Sequence, residues 1–226
     1  MGYLAEVMSD PRSRARALAQ RALAEGQPTQ WFDELYREAE RGEATIPWAD
    51  REANPHLMAW LTRRSIHAGR ALDVGSGLGD NAEALASLGY EVTAFDVSAS
   101  AVAQTKLRFP DTRVDYQVAD VLALPPSWRG AFDLVVEVYT LQVLPPEPRA
   151  LAARAIASCV AAKGTLVVIA RIREEEEPEG QMPWPLTRRE VEAVAGPGFV
   201  LEQLEDFVDD ETPPVRRVRA TFTRTS

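Results

Sequence analysis

Ala71-Leu72-Asp73-Val74-Gly75-Ser76-Gly77-Leu78-Gly79-Asp80 is the stretch that decides the architecture of this 226-residue chain. Residues 71–74 form a short apolar strand, three glycines follow at alternate positions, and 81–88 carry a helical pattern that Gly89 ends. Glycine accepts the backbone of a tight strand-to-helix turn and lets a ligand approach the main chain closely. In open α/β sheets such a turn lies at the carboxyl ends of the strands, where ligands bind.

Working outward, the alternation repeats. Residues 91–95, 114–119, 132–138 and 165–170 read as strands, with helices at 99–108 (stopped by Pro110) and 149–162 (closed by Gly164). Strands apolar on both faces, separated by helices, predict a mostly parallel sheet covered on each side. The acidic run 174–177 and Pro178, Pro183 and Pro185 place a loop at 172–187. A helix at 187–195, a strand at 200–204, an acidic turn at 206–214 and an antiparallel last strand at 215–223 complete seven strands. Upstream, helices are expected at 11–25, at 30–40 with Thr29 as its cap, and from Pro55 to Ser65. The expected division is an N-terminal helical cap, 1–54, on a ligand-binding unit, 55–226, in one compact domain overall.

Bulk properties narrow the class. A net charge of -9 argues against general affinity for phosphate backbones. Cys159 is the single cysteine, and His56 and His67 are the two histidines, so neither a disulfide framework nor a His/Cys metal cluster is expected. No apolar run has the length of a membrane span, and the N-terminus lacks a signal-peptide core. The expectation is a soluble cytoplasmic protein, monomer or homodimer, with no membrane or nucleic-acid partner and no metal.

The loop's chemistry favours one cofactor. A dinucleotide fingerprint wants its third glycine where this chain has Asp80, and a carboxylate at a helix start is poor company for a pyrophosphate. Asp73 precedes the glycines, within reach of the cationic amino-acid part of a sulfonium ligand. Asp96 ends the second strand, where an acid can accept both ribose hydroxyls, and Asp120 ends the third, placed for an adenine amine. S-adenosylmethionine (SAM), with S-adenosylhomocysteine (SAH) as product, is the cofactor these features select.

Together the motifs resemble the class I SAM-dependent methyltransferases, from about Arg70 to Thr223. The resemblance implies a Rossmann-like, doubly wound, seven-stranded sheet with an antiparallel last strand. It also implies Asp73, Gly75, Ser76, Gly77 and Gly79 on the methionine part, Asp96 with Val97 on the ribose, and Asp120 with Val121 on the adenine. Glu137 and Val138 would lie near the methionine amine. A finer likeness lies in Trp31-Phe32, Ile46-Pro47-Trp48-Ala49-Asp50, Asn54-Pro55 and the stretch from Gly180 to Leu186. These look like the thiol and thiopurine methyltransferase group, which implies Trp31 and Trp48 over the cofactor pocket.

For the acceptor, the residues overhanging the strand ends are Trp48, Tyr139, Gln142, Arg171 and Trp184. Aromatic walls suit a small flat substrate and stabilise a sulfonium by cation–π contact. Arg171 either neutralises an anionic acceptor or pairs with the 174–177 run. Bases are few: His67 belongs at the far edge of the sheet, and His56 either reaches the pocket or stays at the surface. A thiol needs little help to ionise, so that scarcity favours a thiol or other soft acceptor. Methylation of a protein or nucleic acid, a non-catalytic SAM-binding module and a nicotinamide oxidoreductase are the competing readings.

Overall fold

The computed structural model describes residue 10 and residues 12–63 and 69–226. Its strands are β1 (Arg70–Val74), β2 (Glu91–Asp96), β3 (Asp115–Val118), β4 (Phe132–Val138), β5 (Val160–Arg173), β6 (Leu186–Thr187), β7 (Phe199–Val208) and β8 (Arg216–Arg224). They follow the order β3-β2-β1-β4-β5-β8-β7, with β6 paired to β5 off that path. Pairings from β3 to β5 are parallel, and β8 runs antiparallel to both β5 and β7. The seven expected strands are present, and two-residue β6 is an addition inside the expected loop.

The helices are α1 (Ser13–Ala24), α2 (Trp31–Glu40), α3 (Pro55–Thr62), α4 (Asp80–Ser87), α5 (Ala99–Arg108), α6 (Pro146–Cys159) and α7 (Arg188–Ala193). Side chains alternate across a strand, and the two faces of the sheet carry separate cores. Leu72, Val74, Val135, Ile156, Leu166 and Phe222 pack on one side. Ala71, Leu57, Leu85, Val136, Val167 and Ile169 pack on the other.

The N-terminal helices make a third, smaller core from Leu18, Ala19, Ala22, Trp31, Leu35 and Met182. Polar bonds fasten that cap to the strand ends. Asp33 on α2 accepts from the Ser98 hydroxyl and the Ser100 amide, both at 2.9 Å, at the start of α5. Thr29 donates its hydroxyl to Asp120 at 2.8 Å.

Several boundaries differ from expectation. Thr29 does not cap α2: Gln30 holds the cap position without a side-chain bond, because the Thr29 hydroxyl is committed to Asp120. Asn54 caps α3 instead, accepting from the amides of His56 and Leu57 at 3.0 and 3.1 Å ahead of Pro55. That helix ends at Thr62, and residues 64–68, with the expected position of His67, lie outside the described residues. Helix α6 starts earlier and stops at Cys159, since 160–173 continue as one strand through Gly164. A Cβ on Gly164 would meet the carbonyls of Ala161 and Phe132 at 2.9 and 3.0 Å, so the glycine serves close packing within the sheet rather than a helix end.

Among the described residues, no helix is long and apolar enough to cross a membrane.

Candidate cofactor and acceptor site

A cavity of about 510 Å³ opens over the carboxyl ends of β1, β2, β4 and β5, within the size range of small-molecule sites. Its floor is the glycine loop, its roof is α2 with the Pro47–Trp48 turn, and its far wall is formed by Tyr139, Gln142, Arg171 and Arg217.

The floor is held rigidly. Gly77 and Gly79 adopt φ of 53° and 87°, the left-handed region that penalises side chains. A Cβ on Gly77 would stand 3.0 Å from the Tyr36 hydroxyl, and one on Gly79 would stand 2.5 Å from that of Tyr116. At Gly79 the constraint is therefore the protein's own packing, and this glycine does not line the cavity. The Gly77 amide donates to Asp96 Oδ2 at 3.0 Å, and its carbonyl accepts from Thr105 at 3.0 Å. Arg108 reaches the Leu78 carbonyl at 3.1 Å and both Asp80 oxygens at 2.7 and 2.6 Å. Asp80 is thus charge-neutralised, which weakens the argument that it repels a pyrophosphate.

Three buried groups lie in or just beneath this floor. Asp96 lines the cavity, accepts the Gly77 and Ser98 amides, and is pushed up to about 6 by burial. Ser76 lines it too, and its hydroxyl is buried without a partner. Asp73 is 1% exposed, with Oδ2 unpartnered and its carboxyl pushed up to about 8 by burial and then by the nearby Asp96. The unpartnered Ser76 hydroxyl and Asp73 oxygen, with the Asp96 carboxyl between two amides beside them, fit a ligand with ribose hydroxyls and a cationic amine, as SAM has. Val97, Val121 and Val138 line the same cavity.

Other predicted positions differ. Asp73 and Asp120 do not line the cavity themselves; the Asp120 oxygens already accept from Leu122 and Thr29, both at 2.8 Å. Glu137 closes the turn after β4 with Oε1, which accepts from Thr140 and Leu141 at 2.7 and 2.9 Å, while its buried Oε2 has no partner and the residue does not itself line the cavity. Trp31 belongs to the cap's own core: it stacks on Phe32 at 3.9 Å and donates to the Pro28 carbonyl at 3.1 Å. Successive helical residues point about 100° apart, so Phe32 and Tyr36 face the cavity in its place. Trp184 lines a separate depression beside Leu23 and Met182, while its amide donates to the Gln142 carbonyl at 2.7 Å. Met182 and Pro183 line the main cavity instead.

At the acceptor end, Trp48 donates to the Tyr36 hydroxyl at 3.1 Å, closing the roof. Tyr139 holds φ of 67°, a strained value for a bulky residue and one that clusters at functional sites. Gln142 Oε1 accepts from the Arg171 amide at 2.7 Å, bracing the end of β5. His56 lines the cavity and packs on Phe207, with ring centroids 4.8 Å apart. Burial, and then the charge of Arg217, hold its pKa below the ordinary histidine value, so the ring is neutral at pH 7. Arg12, Phe32, Tyr36, Asn54 and Arg217 also line the cavity and were not singled out as site residues in the sequence. The i,i+4 spacing of Phe32 and Tyr36 was a usable signal; Arg12 and Arg217 carry none. Among the described residues no cluster of His, Cys, Asp or Glu is arranged to hold a metal ion.

The Rossmann-like sheet with its antiparallel β8 is the fold of the methyltransferase structures compared below. Within it, residues 71–164 match the family model described as "Methyltransferase domain". The chain is 36% identical over 116 residues to the ubiquinone biosynthesis O-methyltransferase of Xanthomonas campestris pv. campestris (strain B100), covering 50% of this chain and 48% of that protein. It spans about half the length of the curated relatives it matches. Among solved structures, 1,6-didemethyltoxoflavin-N1-methyltransferase from Burkholderia thailandensis, bound to 1,6-didemethyltoxoflavin and SAH, has a TM-score of 0.68 at 16% identity, covering 97% of this chain and 92% of that one. N-methyltransferase NodS from Bradyrhizobium japonicum WM9, in complex with SAH, gives 0.66 at 20% identity, covering 86% and 100%. At such identities the two structures establish the fold.

Proposed function

We propose that the chain transfers the methyl group of SAM to a small-molecule acceptor. The observation that carries this reading is the buried Asp96 carboxylate, set beside the unpartnered Ser76 hydroxyl on the floor of an aromatic-walled cavity. Asp96 would hold the ribose, Ser76 and the loop the methionine part with the buried Asp73 carboxyl behind them, and Val121 the adenine face. SAM supplies an electrophilic methyl carried on a sulfonium. The chain's share of the work is positioning and water exclusion, which contribute most to an in-line displacement. Phe32, Tyr36 and Trp48 provide the dry roof. The size of the cavity and the net charge of -9 favour a small acceptor over a nucleic acid.

The low count of bases supports a thiol acceptor. A second reading, a hydroxyl acceptor, is favoured by His56, which lines the cavity in its neutral, base-competent form. The O-methyltransferase relatives lend it weight. Calorimetric titration with SAM, SAH and NAD, followed by SAH release on matched thiol, hydroxyl and amine acceptors, tests both. NAD binding without SAM binding would overturn the proposal. A hydroxyl acceptor whose turnover falls steeply in His56→Ala would decide for oxygen over sulfur.

A further inference from the structure

Arg171 on β5 stands directly opposite Arg217 on β8. Both line the acceptor end of the cavity. Like charges directly opposed across an antiparallel pair are destabilising, and the fold neutralises one of the two. Arg217, 3% exposed, pairs with Asp209 and Glu211 and lies 4.6 Å from the centre of the Tyr139 ring. The half-buried Arg171 guanidinium makes no hydrogen bond or ion pair among the described residues.

The acidic run that follows does not serve it. Glu174 pairs with Arg216, and Glu177 accepts from the Glu174 amide at 2.9 Å. Glu179 lies 3.7 Å from Arg173. Arg12 lines the same cavity, likewise without an ion pair among the described residues. Burial, followed by the fields of Arg12 and Arg217, holds Arg171 below the ordinary arginine range, which places the three cations within one another's influence. The carboxylates that line the cavity offset them only in part: Glu211 pairs with Arg217 while its charge also reaches Arg171, Asp80 is committed to Arg108, and Asp50 and Glu52 are exposed. Asp96 is committed to two amides at the cofactor end.

We propose that the methyl acceptor carries a carboxylate, gripped by the Arg171 guanidinium with Arg12 beside it. A planar guanidinium matches a carboxylate in two parallel hydrogen bonds, and an incoming anion relieves the repulsion between Arg171 and Arg217. The brace from Gln142 to the Arg171 amide fixes the backbone from which the fork extends. The acceptor's identity as a methyl acceptor rests on the methyltransferase reading; the anion grip does not.

The test uses acid and ester pairs on the same ring, which differ in the carboxylate charge and one methyl group: 4-mercaptobenzoate with its methyl ester, and 3,4-dihydroxybenzoate with its methyl ester. Each is titrated by calorimetry into the whole protein, with and without saturating SAH, for the wild type, Arg171→Gln and Arg171→Lys. The acid of at least one pair should bind about tenfold or more tighter than its ester, as a charge-assisted pair contributes. Arg171→Gln should erase that ratio, while Arg171→Lys keeps part of it. An SAH titration of each variant shows that the fold and cofactor site survive. Acids that bind no better than their esters, or an acid preference untouched by Arg171→Gln, would overturn the proposal. Failure of the wild type to bind SAH would instead overturn the methyltransferase reading, and the acid-to-ester ratio without SAH would still judge the anion grip.

Discussion

Thr29 donates its hydroxyl to the Asp120 carboxylate across 2.8 Å, tying the lead-in of α2 to the end of β3. The threonine is 6% exposed, and a hydrogen bond to a charged acceptor contributes about 1.5–3 kcal/mol. Thr29→Val keeps the volume and removes the donor, so a loss of about 1–2 kcal/mol is expected in urea unfolding. In a double-mutant cycle with Asp120→Asn the two losses should be less than additive. Strict additivity would mean that the contact holds nothing together.

That bond also shows why parts of the site were legible in the sequence and others were not. The loop from Asp73 to Gly79 and the acid at Asp96 were readable because a strand end, a tight turn and a helix start are neighbours in the chain. Thr29 and Asp120 are 91 residues apart, and a threonine ahead of a helical pattern reads as a cap. Trp31 and Phe32 are neighbours on one amphipathic helix, but only the packing of α1 against α2 decides which of them enters the cap core. Arg171 and Arg217 face one another through strand register, which no local pattern reports. Strand β5 outran its expected span because Gly164 reads as the end of a helix at 149–162, yet the strand runs through it from Val160.

Asp96→Ala should weaken SAH binding by tenfold or more, about 2 kcal/mol, if the carboxylate accepts from the ribose. The variant also frees the Gly77 and Ser98 amides, so its thermal melt must be recorded alongside. An unchanged affinity by calorimetry would remove Asp96 from the cofactor site.

The ligand-free protein should lose stability as pH rises from 5 to 8 through Asp73 and Asp96. Both carboxyls titrate higher when folded, at about 8 and about 6, than their ordinary value of 3.8. The unfolded chain therefore gives up these protons first. Their contribution is complete below the unfolded value and disappears as pH climbs through the folded ones. His56, held low, acts in the opposite sense below its ordinary 6.5, so the comparison must be made against a variant. Asp73→Asn should flatten the fall in melting temperature between pH 5 and pH 8. An identical slope in the two proteins would show that Asp73 is already ionised in the fold.

Trp48→Ala should cut turnover, or closure over the cofactor, while the protein remains folded. Its indole caps the cavity and meets Phe32 and Tyr36 at centroid distances of 6.0 and 6.5 Å. It is only half-buried, so the cost in stability should be smaller than for a core tryptophan. Unaltered steady-state activity on the true acceptor would mean that the turn does not roof the pocket.

Arg108 should matter more to cofactor binding than to stability. Its guanidinium holds both Asp80 oxygens, the Leu78 carbonyl at 3.1 Å and the Arg51 carbonyl at 3.1 Å, so one side chain clamps the glycine loop to the segment before α3. Partly exposed ion pairs contribute about 0–1 kcal/mol, so Arg108→Gln should lower the melting temperature only slightly. The loop it releases forms the cavity floor, and the ordering it loses must then be supplied by the ligand. A weakening of SAH binding by roughly fivefold to tenfold is expected, with faster amide exchange across residues 75–81. Arg108→Lys should fail to restore either, because an ammonium cannot span Asp80 and two carbonyls at once. A large drop in melting temperature with SAH affinity intact would reverse the assignment and make the clamp structural.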